Sequence, residues 1–250
     1  MSDKVDRKSL YGKSFYEGRD ERTRNAARSI LKLVHDFIPH FESVADFGCG
    51  IGTWLSVAEE FGARRIQGID GPWVDRDLLV IPEGFFLEQQ LEMPIRLGER
   101  FDLAISLEVA EHLSPKRAEG FVKDLVSASD FVLFSAAIPG QGGKGHVNEQ
   151  WPDYWWQYFS AFGYIAVDFI RDKVWDNPSI PYWYQQNCIL YINSAQVPNV
   201  KDCGLLNPDT PPRRLVHPDL YEKRLLECTT VRGSWRSFRK SLKDKLRSPF

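Results

Sequence analysis

Asp46-Phe47-Gly48-Cys49-Gly50-Ile51-Gly52-Thr53 is the stretch on which the fold turns. The apolar run Ser43-Phe47 reads as a strand and Thr53-Phe61 as a helix, so three alternate glycines stand at a strand-to-helix turn. Glycine lets the backbone turn sharply there and approach a ligand. About 20 residues on, the second strand, Arg65-Asp70, ends in an acid that can accept hydrogen bonds from a ribose diol. The spacing is Gly-x-Gly-x-Gly. It departs from the Gly-x-Gly-x-x-Gly in which the third glycine packs a pyrophosphate-binding helix. Asp46, two residues before Gly48, suits a ligand that carries an ammonium group and no phosphate. A tight turn with no ligand is the bland alternative.

Outward from this turn, strand-like runs alternate with helical ones. Phe85-Leu87, Phe101-Leu107 and Phe131-Ala136 read as further strands, and Ala118-Val126 as a helix opened by Ser114 as N-cap and Pro115. Ala26, Ala27, Ile30, Leu31, Val34, Phe37 and Ile38 recur at helical spacing until Pro39 stops them. The rhythm predicts an α/β fold: a Rossmann-like, seven-stranded, mostly parallel sheet with helices on both faces. After residue 136 come a glycine-rich loop, an aromatic helix around Tyr154-Phe162, and two strand-like runs, Tyr164-Ile170 and Asn187-Asn193, that read as a terminal antiparallel hairpin. Proline recurs from Val197 to Pro218, as in a surface connector. The expected organisation is an N-terminal helical cap over 1–40, the main domain over 41–196, and a connector with a basic tail over 197–250.

Composition sets the class. The 250 residues are 43% hydrophobic and 13% aromatic, a globular balance that excludes collagenous and wholly disordered chains. No apolar run approaches the roughly 20 residues of a membrane span, and Met1-Ser2-Asp3-Lys4 lacks a signal-peptide core. A cytoplasmic protein is expected. Four cysteines, at 49, 188, 203 and 228, form no CxxC pair, which indicates neither a disulfide framework nor a zinc ribbon. The net charge of −2 hides a split: residues 213–250 hold 11 Lys+Arg against 4 Asp+Glu, and the rest 21 against 30. An acidic body therefore carries a basic appendage.

The Asp46-to-Gly52 stretch, with Asp70, resembles the first motif and ribose-binding acid of the class I S-adenosylmethionine-dependent methyltransferases. Similarity runs over roughly residues 40 to 193. It implies S-adenosylmethionine as cofactor, held by Asp46, Gly48, Gly50, Gly52 and Asp70, and a seventh, antiparallel strand. Where the family often has an Asp after the third strand, this chain has Gln90, with Leu91 beside it; the amide oxygen of Gln90 would accept from the adenine amino group.

The fourth strand runs into Leu107-Glu108-Val109-Ala110-Glu111-His112-Leu113, which places Glu108, Glu111 and His112 at i, i+3 and i+4. If a helical turn forms here, the three project from one face. Two carboxylates and an imidazole at the carboxyl edge of a parallel sheet suit a divalent metal. A fourth ligand must come from elsewhere, and His146, in the loop after strand five, is the candidate. Glu108-x-x-Glu111-His112 with a later histidine resembles the metal motif of the small-RNA 3′-terminal 2′-O-methyltransferases and the ubiquinone-biosynthesis O-methyltransferases. That resemblance implies Mg²⁺ or Mn²⁺ on Glu108, Glu111, His112 and His146, with Glu111, His112 and His146 as the catalytic set. Two alternatives use the same residues: His112 or His146 as general base without an ion, or a plain helix-end and packing role.

Gly143-Lys144 is followed by Gly145 where a phosphate-binding loop needs Ser or Thr, which excludes that reading. A mobile substrate loop carrying His146 is expected instead. Residues 151–191 hold 14 of the 33 aromatics; most should pack the core, with Trp151, Trp183 and Tyr184 as acceptor-pocket candidates. Trp235, Phe238, Leu242 and Leu246, flanked by Arg236, Arg239, Lys240, Lys243 and Lys245, form a basic amphipathic stripe. It could dock on the body, lie peripherally on the inner face of an anionic membrane, or, less favourably, touch nucleic acid. The expected activity is metal-assisted O-methylation of a hydroxyl with a neighbouring oxygen, on a sugar or glycan acceptor; the chain also resembles small bacterial glycan-associated methyltransferases. An RNA-end or small phenolic acceptor, or a non-catalytic cofactor-binding scaffold, is the alternative.

Overall fold

A computed structural model describes residues 20–200 and 210–229. In chain order the elements are α1 (Asp20–Phe37), β1 (Ser43–Phe47), α2 (Thr53–Glu60), β2 (Arg65–Asp70), β3 (Phe86–Glu88), β4 (Leu103–Leu107), α3 (Ala118–Ala128) and β5 (Phe131–Ser135). Then follow α4 (Pro152–Ala161), β6 (Tyr164–Val167), α5 (Ile170–Val174), α6 (Tyr182–Asn187), β7 (Ile189–Asn193) and α7 (Pro218–Thr229). Seven strands make one sheet in the order β3-β2-β1-β4-β5-β7-β6. Strands β1 to β5 pair in parallel, and β7 runs antiparallel to both β5 and β6. The expected fold class is the one observed.

Every residue of β1, β4 and β5 is buried, which is why these runs read as continuous apolar stretches rather than alternating ones. Successive residues still face opposite layers. Val44, Leu103, Ile105 and Leu133 pack with Ile30 and Leu31 of α1 and Leu55 of α2. Ala45, Ala104, Val132 and Phe134 pack with Phe121 of α3 and with Trp155 and Phe159 of α4. Each large side chain so buried contributes about 1.5–3 kcal/mol before conformational entropy is counted.

Two compact units divide the chain between Arg214 and Leu215. Within the first, α1 comes from the segment expected as an N-terminal cap, yet its apolar face is built into the sheet core. Arg28 fixes its outer side to Glu60 of α2 through two hydrogen bonds of 2.8 and 2.9 Å. Among the described residues the second unit carries α7. The basic stripe from Trp235 to Leu246 lies outside the described residues. No helix among the described residues is long and apolar enough to cross a membrane.

Two local expectations are corrected. Ser114 stands at the N-cap position with Pro115 after it, but of a single 3-10 turn over Pro115–Arg117 that leads into α3, and its side chain does not cap: its N–H and Oγ both donate to the carboxylate of Glu92, at 2.7 and 3.0 Å. The antiparallel pair β6 and β7 is not joined by a short turn, because residues 168–188 intervene with α5 and α6. That excursion brings the end of α6 back toward the carboxyl edge of the sheet, where Asn187 meets Glu108.

Candidate active site

The glycine turn leaves the carboxyl end of β1. Gly48 (φ 94°) and Gly52 (φ 89°) are left-handed, and neither has room for a side chain: a Cβ on Gly48 would come within 2.3 Å of Val109 Cγ2, and one on Gly52 within 2.7 Å of Ile81 Cγ1. Val109 belongs to the turn after β4, so Gly48 lets that turn press directly onto the first motif. Asp70 organises the edge between them. Its Oδ2 accepts the N–H of Gly50 at 2.8 Å and its Oδ1 that of Gly71 at 2.6 Å. Asp46 is buried and accepts no hydrogen bond among the described residues; burial first, and Asp70 second, hold its carboxyl well above the ordinary value. A carboxyl in that state gains most from a cationic partner, which is what a ligand ammonium would be.

Gln90 and Leu91 follow β3. Leu91 is buried in the core, and its carbonyl accepts Nε of the buried Arg117 at 2.8 Å. The exposed Gln90 offers its carbonyl to the N–H of Met93 at 3.0 Å. Leu91 thus has an apolar side chain committed to packing, whereas Gln90 keeps an amide to present.

After β4 the chain does not continue as the helical turn anticipated for Glu108, Glu111 and His112. Glu108 takes φ 56°, the one positive φ outside glycine among the described residues. A 3-10 turn over Ala110–His112 follows. The left-handed residue sends Glu108 away from its neighbours on the turn. Its Oε1 accepts from Ser135 Oγ and Asn187 Nδ2, each at 2.9 Å, and its Oε2 from Gln141 Nε2 at 2.7 Å. Burial raises its pKa against the pull of these donors. Strain of about 1–3 kcal/mol at such a φ persists only where the surroundings over-determine it, and three side-chain donors from three elements do so.

The other three residues converge. One ligand atom from each of Glu111, His112 and His146 lies within 4.8 Å of the others. Glu108 is not in this set, so the geometry brings together three of the four residues that the resemblance implied as ligands. Glu111 is fully buried and neither carboxylate oxygen has a hydrogen-bond partner. Burial and the nearby Glu108 push its pKa well up; the N–H groups of Glu111 and Ala137 pull the other way without reaching hydrogen-bond geometry. His146 Nε2 stands 3.9 Å from Glu111 Oε1. The two imidazoles meet edge to face at 4.8 Å. His112 Nδ1 lies 3.3 Å from the carbonyl of Gly145, and because a carbonyl only accepts, that bond places the ring proton on Nδ1.

The loop expected to be mobile is tied down. Val147 and Asn148 both donate their N–H to the carbonyl of Glu111, at 2.9 and 3.0 Å, and the N–H of Gln150 bonds the carbonyl of Ala137 at 3.1 Å. Gly143 packs on His146: a Cβ there would sit 2.1 Å from Nε2. Glu149 accepts from His146 Nδ1 at 2.9 Å. Sequence reasoning missed Glu149, Gln141, Ser135 and Asn187; only Glu149, three residues after a candidate histidine, left a local trace. Of the aromatic candidates, Tyr184 is buried edge-on against Trp54 at 5.4 Å. Trp151 and Trp183 keep partial exposure, with the Arg214 guanidinium 5.7 Å from the Trp151 ring.

Residues 19–137 match the family of methyltransferase domains. No curated protein sequence matches the chain. Among solved structures, magnesium protoporphyrin IX methyltransferase (ChlM) from Synechocystis PCC 6803 with bound SAH superposes at TM-score 0.51 with 18% identity, over 76% of this chain and 94% of that one. A chain of the complex between the Haloferax volcanii Trm112 methyltransferase activator and a methyltransferase gives TM-score 0.53 at 13% identity, over 77% and 99%. Streptomyces venezuelae DesVI gives 0.44 at 22% identity, with 57% of this chain spanning 62% of that one. Sheet order and glycine turn give the chain the fold of these structures, and the match over residues 19–137 supports a methyltransferase domain within it.

Proposed function

We propose that the chain is a divalent-metal-assisted O-methyltransferase whose acceptor presents a hydroxyl beside a second oxygen, as sugars and glycans do. One observation carries this reading: Glu111 buries an unpartnered carboxylate within reach of two imidazoles. Leaving such a group unpaired costs several kcal/mol unless a partner arrives, and carboxylate with imidazole is a donor set that Mn²⁺ accepts and Mg²⁺ tolerates. A bound divalent cation would lower the pKa of the acceptor hydroxyl and hold its oxygen in line with the methyl sulfonium. Glu111, His112 and His146 would hold the ion. Glu108 would act by locking the loop and α6 around them. Asp70 and the glycine turn would hold the cofactor, with Asp46 near its ammonium, and Trp151 and Trp183 would offer faces to a sugar ring. In the transfer the S–CH₃ bond breaks as the O–CH₃ bond forms; sulfonium becomes thioether, and the hydroxyl proton leaves to solvent or to a base.

A second reading shares this geometry. With its proton on Nδ1, His146 presents a basic Nε2, which could take the hydroxyl proton with no ion present. Calorimetric titration of chelator-stripped protein with Mn²⁺ and Mg²⁺, demethylated cofactor present, separates the two. Binding by wild type that is lost in His112→Ala/His146→Ala supports the metal site; no binding to either protein overturns it in favour of the general base.

A further inference from the structure

The loop after β5 holds an acid that the proposed chemistry leaves unused. Glu149 Oε1 stands 2.9 Å from His146 Nδ1 and also accepts the N–H of Gly142 at 2.7 Å. Its Oε2 accepts the N–H of Gly140 at 2.8 Å. Gly140 (φ 85°) and Gly142 (φ 65°) are both left-handed, a backbone that turns two amides onto one carboxylate and that side-chain-bearing residues adopt only with strain. Three donors from the loop therefore converge on Glu149, and one of them is the imidazole of the candidate ligand.

An ionised carboxylate only accepts, so the proton of the Glu149–His146 pair sits on Nδ1 and Nε2 keeps its lone pair. Nε2 is the atom facing Glu111, 3.9 Å from Oε1. A flipped ring would turn a carbon toward one carboxylate or the other and forfeit the bond to Glu149. Gly143 closes the remaining side, because it has no side chain where the ring lies. The contacts of Val147 and Asn148 with the Glu111 carbonyl hold the loop independently of Glu149.

We infer that Glu149 is a positioning residue that fixes the tautomer and ring orientation of His146, so that Nε2 is presented to Glu111 and His112 as a ligand atom. Its consequence for metal affinity rests on the proposed metal site; its effect on the tautomer does not. Acids that orient a ligating imidazole in this way are worth about 10–100-fold in metal affinity.

The test uses the full chain, with two readouts on wild type, Glu149→Ala and Glu149→Gln. Long-range ¹H–¹⁵N NMR of the metal-free protein at about pH 8, where an ordinary imidazole is neutral, reads the His146 tautomer. Wild type should show Nδ1–H, Glu149→Ala should populate Nε2–H, and Glu149→Gln, which keeps one acceptor oxygen, should restore Nδ1–H. Mn²⁺ titration should give affinities falling from wild type through Gln to Ala, by about 10–100-fold overall. An unchanged tautomer in Glu149→Ala, or Mn²⁺ affinity within twofold of wild type, would overturn the inference. If Glu149→Ala does not fold, Glu149→Asp, which withdraws the carboxylate by one methylene, should shift both readouts in the same direction. Wild type showing Nδ1–H but no Mn²⁺ binding would sink the metal reading while leaving the positioning role standing.

Discussion

Replacing Gly143 with alanine probes the site through space alone. Gly143 needs no left-handed backbone, since its φ lies outside the positive range that marks Gly140, Gly142 and Gly145. The cost is therefore steric. The added Cβ would lie 2.1 Å from His146 Nε2, 2.4 Å from Cε1 and 2.7 Å from Cδ2, where ordinary contacts begin near 3.5 Å. The ring must retreat by about 1.4 Å, seven times the roughly 0.2 Å within which metal–ligand distances are held. His146 is a side chain on a surface loop, so the ring can move without disturbing the sheet. Gly143→Ala should therefore melt within about 2 °C of wild type, the shift that corresponds to about 0.5–1 kcal/mol in a domain of this size, while Mn²⁺ affinity falls at least 10–100-fold. Differential scanning calorimetry and Mn²⁺ titration on the same preparation read both quantities. Full Mn²⁺ affinity with the melting temperature preserved would refute the placement of His146 in the site.

Other perturbations separate the roles of the acids. Glu111→Leu removes a buried carboxylate without partners, so thermal unfolding of the metal-free protein should show a gain of about 1–3 kcal/mol together with loss of Mn²⁺ binding; a destabilised variant would mean that Glu111 is satisfied as it stands. Asp46 has a folded-state pKa well above its ordinary 3.8 because of burial and Asp70. The native state thus keeps a proton that the unfolded chain has released, and stability from this group is present below about pH 4 and lost as pH rises through the folded pKa. Asp46→Asn should flatten that decline in urea unfolding across pH, while weakening cofactor binding; an unchanged slope would show that Asp46 does not drive it. Asp70→Ala should lower affinity for the demethylated cofactor by about 10–100-fold and leave Mn²⁺ binding intact, with equal loss of both arguing against separate sites. For the basic stripe, Gln at Arg236, Arg239, Lys240, Lys243 and Lys245 should abolish sedimentation with phosphatidylserine vesicles, at about 1 kcal/mol per charge; unchanged sedimentation would rule the stripe out as a membrane contact.

How much of the site could be read in advance depended on how local its geometry is. The glycine turn and Asp70 were legible because a strand, a turn and a helix are set by contiguous residues, and β1 and β2 pair in register, Asp46 opposite Gly68. Glu108 was misplaced because the i, i+3, i+4 argument assumes helical backbone, and a left-handed residue at 108 breaks that spacing. Its partners Ser135, Gln141 and Asn187 stand 27, 33 and 79 residues away, on three separate elements, so no pattern in the chain announces them. The loop around His146 was anticipated as mobile from its glycines alone. Those glycines instead shape a backbone that Glu149 ties to itself.

By itself the sequence determined the layers and the sheet, because burial on both faces demands the continuous apolar runs of β1, β4 and β5, and it determined the glycine turn, because strand, turn and helix there are set by contiguous residues. It also supplied the acids and imidazoles of the reaction edge. Which of those acids stays without a partner was decided only by the tertiary structure. Glu108 and Glu111 are three residues apart and chemically identical; one is satisfied by donors from three elements, and the other is buried facing two imidazoles. That difference arises from packing among distant segments, and it separates a carboxylate that holds the fold from one available to hold a metal.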